Sequence, residues 1–149
     1  MIGEKSKAYT LFTILNPINN TSNKKDALKY EKEAYVMTAD VSYMSPYTGK
    51  GGWSWYTGSS GWMYQGLVKY FLGIRKEADH LIIEPSTPKE FGDYTVEYIY
   101  GAATYTIEVK KRNESDMTSC QLTVDGGGID GITLKLIDDG KNHQICLIQ

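Results

Sequence analysis

The residues of this chain best suited to chemistry lie in one stretch, Gly51-Gly52-Trp53-Ser54-Trp55-Tyr56-Thr57-Gly58-Ser59-Ser60-Gly61-Trp62-Met63-Tyr64. It carries all three tryptophans and sets Thr57, Gly58, Ser59, Ser60 and Gly61 between two aromatic clusters. Directly after it, Met63, Leu67, Tyr70, Phe71 and Ile74 recur at the spacing of one apolar helix face. Small hydroxyl residues opening a helix leave backbone N–H groups and the positive dipole end directed outward, a setting that suits an anion such as phosphate. Flanking rings offer flat apolar faces of the kind against which sugar rings pack. The structural alternative is that Ser59 or Ser60 caps the helix while the tryptophans fill a corner of the core.

Cleavage of a glycoside requires a carboxylic acid to protonate the departing oxygen. Glu33 and Asp40 are the candidates near the aromatic stretch; as surface charges or structural acceptors they would need no such role. His80 and His143 lie in the strand region, have no cysteine or carboxylate partner at ligand spacing, and predict no metal site. Cys120 and Cys146, far from CxxC spacing, read as buried cytosolic thiols. No Ser/His/Asp or Cys/His set is legible, and neither a Walker nor a dinucleotide glycine motif is present. Gly126-Gly127-Gly128 joins two strands and reads as a turn, and Lys110-Lys111-Arg112 reads as a strand end in solvent.

The elements that must position these residues follow from composition and period. With 149 residues, 41% hydrophobic and 23% charged, the chain has room for one domain, or one small domain and part of another. A net charge of −2 gives no reason to expect nucleic acid or an anionic membrane as partner. No apolar run approaches the roughly 20 residues that cross a bilayer, no signal-peptide core opens the chain, and a cytoplasmic setting is expected.

Ala8, Leu11, Phe12 and Leu15 predict a helix over 4–15, stopped by Pro17. A polar loop over 16–23 leads to a second helix, 24–33, capped by Asn23. Residues 35–43 are apolar around Asp40 and fit a buried helix or a buried strand. After a loop, the helix that follows the aromatic stretch is expected to reach Lys76. Beyond Asp79 the period changes to two, predicting strands over 80–84, 94–100, 103–110, 119–124, 132–137 and 144–148. Gly101 marks a hairpin turn, and residues 113–116 a polar loop. The fold class is α+β: helices first, then an antiparallel sandwich of short strands. The apolar helix faces exceed what such a sandwich covers, so the chain is expected to be the end of a larger protein, with self-association of the piece as a consequence.

The aromatic stretch, with Phe71-Leu72-Gly73-Ile74-Arg75 after it, resembles the C-terminal part of the glycoside phosphorylases of the cellobiose phosphorylase family, glycoside hydrolase family 94. Leu15-Asn16-Pro17-Ile18-Asn19, Tyr30, Glu33-Ala34-Tyr35-Val36 and Ala39-Asp40-Val41 extend the likeness upstream. Ile83-Glu84-Pro85, Pro88-Lys89, Tyr98-Ile99-Tyr100-Gly101 and Ile137-Asp138-Asp139-Gly140 extend it downstream. The flavour is that of cyclic β-1,2-glucan synthases and β-1,2-oligoglucan phosphorylases. Three departures stand out: Ala34 where the family usually has proline, and Lys50 and Gln65 where it usually has arginine.

The resemblance implies that residues 1–78 are the last helices of an (α/α)6 barrel and residues 79–149 a jelly-roll-like β-sandwich. It implies an inverting attack of phosphate on the anomeric carbon of a β-glucan or β-glucoside, with one aspartic acid protonating the leaving oxygen. That acid lies upstream of this chain in the family, so no residue here is expected to be catalytic. Thr57, Gly58 and Ser59 are expected to bind phosphate, and Trp55, Tyr35 and Asp40 the sugar. No cofactor is implied beyond inorganic phosphate as co-substrate, and the partner is the missing N-terminal part of the catalytic domain. A non-catalytic carbohydrate-binding or interaction module is the alternative.

Overall fold

A computed structural model describes residues 4–112 and 121–149; the expected loop at 113–116, the start of the strand at 119 and Cys120 lie outside the described residues. The chain divides into two compact units, Met1–Leu67 and Val68–Gln149.

In the first unit, α1 (Lys5–Leu15) ends at Asn16, whose side chain accepts the Ile18 N–H at 3.1 Å and opens α2 (Pro17–Asn20). The expected loop thus holds a helical turn, because asparagine followed by proline supplies both an N-cap and a favourable first helical residue. The apolar positions of α1 are not buried: Leu11 is 61% exposed. Asn23 caps α3 (Lys24–Tyr30) by accepting the Asp26 N–H at 3.0 Å, and the helix stops at Glu31, which takes a left-handed φ of 57°. Residues 35–43 form neither of the expected regular elements; after a turn at 34–35 they make isolated bridges to residues 51–54 at Thr38–Ser54 and Val41–Gly51.

The helix after the aromatic stretch is shorter than its periodicity predicts. α4 (Ser59–Gln65) passes into a π-helical turn, Gly66–Phe71. Gly73 then takes a φ of +73°, and a Cβ there would strike the carbonyl of Glu84. The helix cannot pass that point. Ile74, expected on a helix face, begins β1 (Ile74–Glu77), which pairs antiparallel with β2 (His80–Ile83).

The remaining strands of the second unit are β3 (Tyr94–Tyr100), β4 (Ala103–Lys110), β5 (Gln121–Val124), β6 (Gly127–Ile129), β7 (Thr133–Lys135) and β8 (Asn142–Ile148). One sheet has the order β1-β2-β7, the other β3-β4-β8-β5-β6. Every pair is antiparallel except β4–β8, where Tyr105 lies opposite His143 and Ile107 opposite Ile145 in parallel register. The strong alternation of β3 and β4 buries Ala103, Tyr105, Ile107 and Val109 beneath solvent-facing neighbours. These pack with Leu122, Ile145 and Leu147 of the same sheet, and with Ile74, Leu81, Ile83 and Leu134 of the smaller one. β6 arises within the glycine run because Asp125 and Gly126 both take positive φ and close a two-residue turn. Cys146 is free and half-buried on β8.

Gly73→Ala is expected to cost about 2 kcal/mol or more, from left-handed strain and the clash with the Glu84 carbonyl. Urea denaturation of the two proteins measures it.

Candidate functional site

Two facing segments, residues 38–42 and 50–54, build the frame of the site. Their ladder comprises Ala39 N–H to Trp53 O at 2.7 Å, Gly52 N–H to Asp40 O at 2.9 Å and Ser42 N–H to Lys50 O at 2.9 Å. Tyr30, fully buried at the end of α3, anchors both segments. Its hydroxyl meets the Thr38 hydroxyl at 3.2 Å, and its carbonyl accepts the Gly51 N–H at 2.8 Å. Neither glycine leaves room for a side chain. A Cβ on Gly51 would press on Lys32 and the Tyr30 ring, and one on Gly52 would overlap the Asp40 carboxyl.

Trp55 leaves the ladder at a φ of +63°, a conformation uncommon for a bulky residue. Its ring meets Tyr35 edge to face at 6.3 Å, and its Nε1 donates to Glu33 Oε1 at a long 3.5 Å. Trp53 stacks on Tyr56 with centroids 6.1 Å apart. Gly58, at a φ of +85°, provides the N-cap of α4 without a side-chain bond, so the cap expected from Ser59 or Ser60 moves one residue back. Ser59 instead turns inward locally: its N–H and its hydroxyl both donate to the Tyr56 carbonyl, at 3.3 and 3.1 Å.

Two cavities flank Trp55. The first, of about 230 Å³, is lined by Tyr35, Val36, Met37, Trp55, Tyr56, Thr57, Ser59 and Ser60. The second, of about 390 Å³, is lined by Ala27, Glu31, Lys32, Glu33, Ser54 and Trp55. Of the residues expected to contact ligand, Tyr35, Trp55, Thr57 and Ser59 therefore share one cavity. Gly58 shapes the turn between Thr57 and Ser59. Asp40 stands apart: its exposed carboxyl lies over Gly52 and lines neither cavity. Glu33, weighed as an acid, lines the second cavity. Tyr56 and Ser60 adjoin predicted residues in sequence; Met37 had no sequence signal beyond its two-residue spacing from Tyr35.

Electrostatics at the second cavity centre on one exposed pair. Lys50 bonds Glu31 at 2.7 Å; that hydrogen bond, reinforced by charge, holds the Glu31 carboxyl below its usual value and raises the Lys50 ammonium. Lys50 is thus committed to a neighbour. Among the described residues no group of three or more His, Cys, Asp or Glu side chains is arranged to hold a metal ion.

Residues 1–73 match the profile described as the glycosyl hydrolase 94 superfamily, catalytic domain. Over those residues the chain belongs to that superfamily. The matched span contains every residue lining the two cavities. Over 109 residues, 73% of the chain, it is 39% identical to the cyclic beta-(1,2)-glucan synthase NdvB of Rhizobium meliloti (strain 1021), covering 4% of that protein. Over 143 residues, 96% of the chain, it is 28% identical to the solabiose phosphorylase of Paenibacillus borealis, covering 18% of that protein. Over 103 residues, 60% of the chain, it is 29% identical to the 1,2-beta-oligoglucan phosphorylase of Listeria innocua serovar 6a, covering 9% of it. The chain thus spans less than a fifth of the length of each of these relatives.

Gly51→Ala is expected to press on the buried Tyr30 ring and weaken the ladder, at about 1–3 kcal/mol for overpacking. Near-ultraviolet circular dichroism of the adjacent tryptophans, with urea denaturation, reports both effects.

Proposed function

We propose that this chain is a C-terminal segment of an inverting glycoside phosphorylase acting on β-glucans or β-glucosides, and that it supplies part of the phosphate site without being active alone. In this reading the helices of the first unit close an (α/α)6 barrel, and the two-sheet unit is the jelly-roll-like sandwich that follows it. The observation that carries the proposal is the sharing of one cavity by two aromatic side chains, Tyr35 and Trp55, and the hydroxyl residues Thr57 and Ser59. Rings beside hydroxyls match the two halves of the reaction: a sugar to be stacked and an anion to be hydrogen-bonded. Phosphorylases acting on oligosaccharides among the superfamily relatives support the same chemistry.

The roles follow from placement. Trp55 and Tyr35 present rings to the sugar. Thr57 donates its hydroxyl to phosphate, and Gly58, in its left-handed turn, gives the anion a close approach to the backbone. Ser59 contributes least through its side chain, because its hydroxyl and its N–H are already engaged by the Tyr56 carbonyl. Asp40 orders the frame through Gly52 and reaches the sugar only if its carboxyl swings away. Phosphate attacks the anomeric carbon, and a carboxylic acid outside this chain protonates the departing oxygen.

The test uses a longer protein that includes the rest of the catalytic domain. Thr57→Ala is expected to lower kcat/KM for phosphate roughly ten- to hundredfold, the loss of one hydrogen bond to a charged partner. Trp55→Ala is expected to raise KM for the glucan, with phosphate dependence retained. Turnover that proceeds equally well without phosphate, or a Thr57→Ala protein with unchanged phosphate kinetics, would defeat the proposal.

One observation favours a second reading, a glucan-binding module without turnover. Trp53, Trp55 and Trp62 are 73%, 68% and 80% exposed, as ring platforms for sugars are. Glucan binding by the 149-residue chain, lost in Trp55→Ala, together with an inactive longer protein, would select it.

A further inference from the structure

His143 lies outside the candidate site, at the end of the inward row of β8 formed by His143, Ile145 and Leu147. Its register partner on β4 is Tyr105, and the two rings stack with centroids 4.8 Å apart and planes 24° from parallel. The side chain is only 14% exposed. Nδ1 lies 2.8 Å from Asp125 Oδ2, in the turn between β5 and β6. Nε2 lies 3.2 Å from Asp139 Oδ1, in the connection between β7 and β8. The sequence offers His143 no partner at metal-ligand spacing; the fold gives it two carboxylates, Asp139 four positions before it and Asp125 eighteen before.

Both carboxylates are held in place by other bonds. Asp125 Oδ1 accepts the Gln144 N–H at 2.8 Å. Asp139 Oδ1 accepts the Lys141 N–H at 3.1 Å, and its Oδ2 faces the Lys141 ammonium at 3.5 Å. From β4, the Tyr105 hydroxyl donates to the Ile137 carbonyl at 2.9 Å and accepts the Ile137 N–H at 2.6 Å. Asp138 turns away, accepting the Ala102 N–H at 2.7 Å. The ring therefore meets a tyrosine on its face and a carboxylate at each nitrogen, with one lysine beyond the second carboxylate.

A neutral imidazole has one N–H and one lone pair, so it satisfies one carboxylate and turns a lone pair on the other. Only the imidazolium donates to both. We propose that Asp125, His143 and Asp139 form a pH-sensitive latch that ties the β5–β6 turn and the β7–β8 connection to the central β4–β8 pair. On deprotonation the shorter Nδ1–Asp125 bond persists and the Asp139 side releases, loosening the β7–β8 connection.

The charge environment agrees with the geometry. The hydrogen bond that His143 donates to Asp125 leads the effects that raise its pKa above the ordinary 6.5, with burial opposing and Asp139 adding. Asp125 is held below 3.8, first by its bond to His143, and Asp139 below 3.8, first by the Lys141 N–H. A raised histidine pKa adds stability that is full below 6.5 and is lost as pH rises through the folded value. Lowered carboxyl values add stability above 3.8 that is lost as pH falls through theirs. The latch is closed between those limits.

The test is an NMR titration of the His143 ring in the full chain, in a His80→Gln background that removes the only other histidine. The expected midpoint lies above 6.5, and Asp125→Asn and Asp139→Asn each shift it down. A midpoint at or below 6.5, or one unmoved by both variants, overturns the proposal. Urea midpoints should fall with rising pH through the titration in the His80→Gln chain but not once His143→Gln is added; parallel curves also overturn it. Should His143→Gln fail to fold, the two asparagine variants carry the same comparison. Amide exchange distinguishes the two ends of the latch: after correction for intrinsic base catalysis, the Lys141 N–H, bonded to Asp139, is expected to lose protection on deprotonation and the Gln144 N–H, bonded to Asp125, to keep it. Equal loss at both sites, or at neither, would contradict the assigned release of Asp139.

Discussion

The candidate site depends on one close approach of backbone to backbone. Residues 38–42 and 50–54 pair closely because Gly51 carries no side chain where the buried Tyr30 ring presses in, and Gly52 none where the Asp40 carboxyl lies. That contact fixes Trp53 and Ser54 opposite Ala39 and Thr38, and so fixes where Trp55 must emerge. Trp55 then turns out of the ladder with positive φ, a strain that the surrounding contacts hold in place. Its ring becomes the wall shared by the two cavities. Glycines that look like loop residues in a list of letters are thus the reason the tryptophan is placed at all.

The second unit rests on a different constraint, the insertion of β8 between β4 and β5. In this register the inward side chains form continuous rows: Tyr98, Tyr105 and His143 in one, Val96, Ile107, Ile145 and Val124 in the next. Apolar residues complete the inner rows, where water is excluded. At the open end a histidine takes the corresponding place, and there the polar ring finds carboxylates at the rim. Burial of a titratable group is tolerated because both its nitrogens are partnered.

Strands with strict alternation were the most legible part of the fold. Residues 94–100 and 103–110 form β3 and β4 over the range their period predicts, because one face is buried and the other wet. Asn16 and Asn23 act where cap chemistry places them, although composition predicts loop where Asn16 opens a helical turn. The helix expected to reach Lys76 failed at Gly73: its apolar spacing fits a helix up to that point, but the carbonyl of Glu84, eleven residues on, decides where it must stop. Residues 35–43 had no dominant period, and their form comes from partners at 51–54 instead of local preference. At the site, four expected ligand residues, Tyr35, Trp55, Thr57 and Ser59, line one cavity, while Asp40 faces Gly52.

The amino-acid sequence alone determined the elements with strong local signals, the family resemblance and the grouping of aromatic with small hydroxyl residues in one stretch. Those properties reside in residue type and short spacing, which a linear chain displays directly. Tertiary structure alone decided the parallel β4–β8 pairing, the separate places of Asp40 and Glu33, and the carboxylates on His143. Each of these joins residues through space with no fixed offset: Trp55 with Glu33, Gly52 with Asp40, Asp125 with His143. Such neighbours are set by how backbones pack and where they turn, and no periodicity encodes that distance.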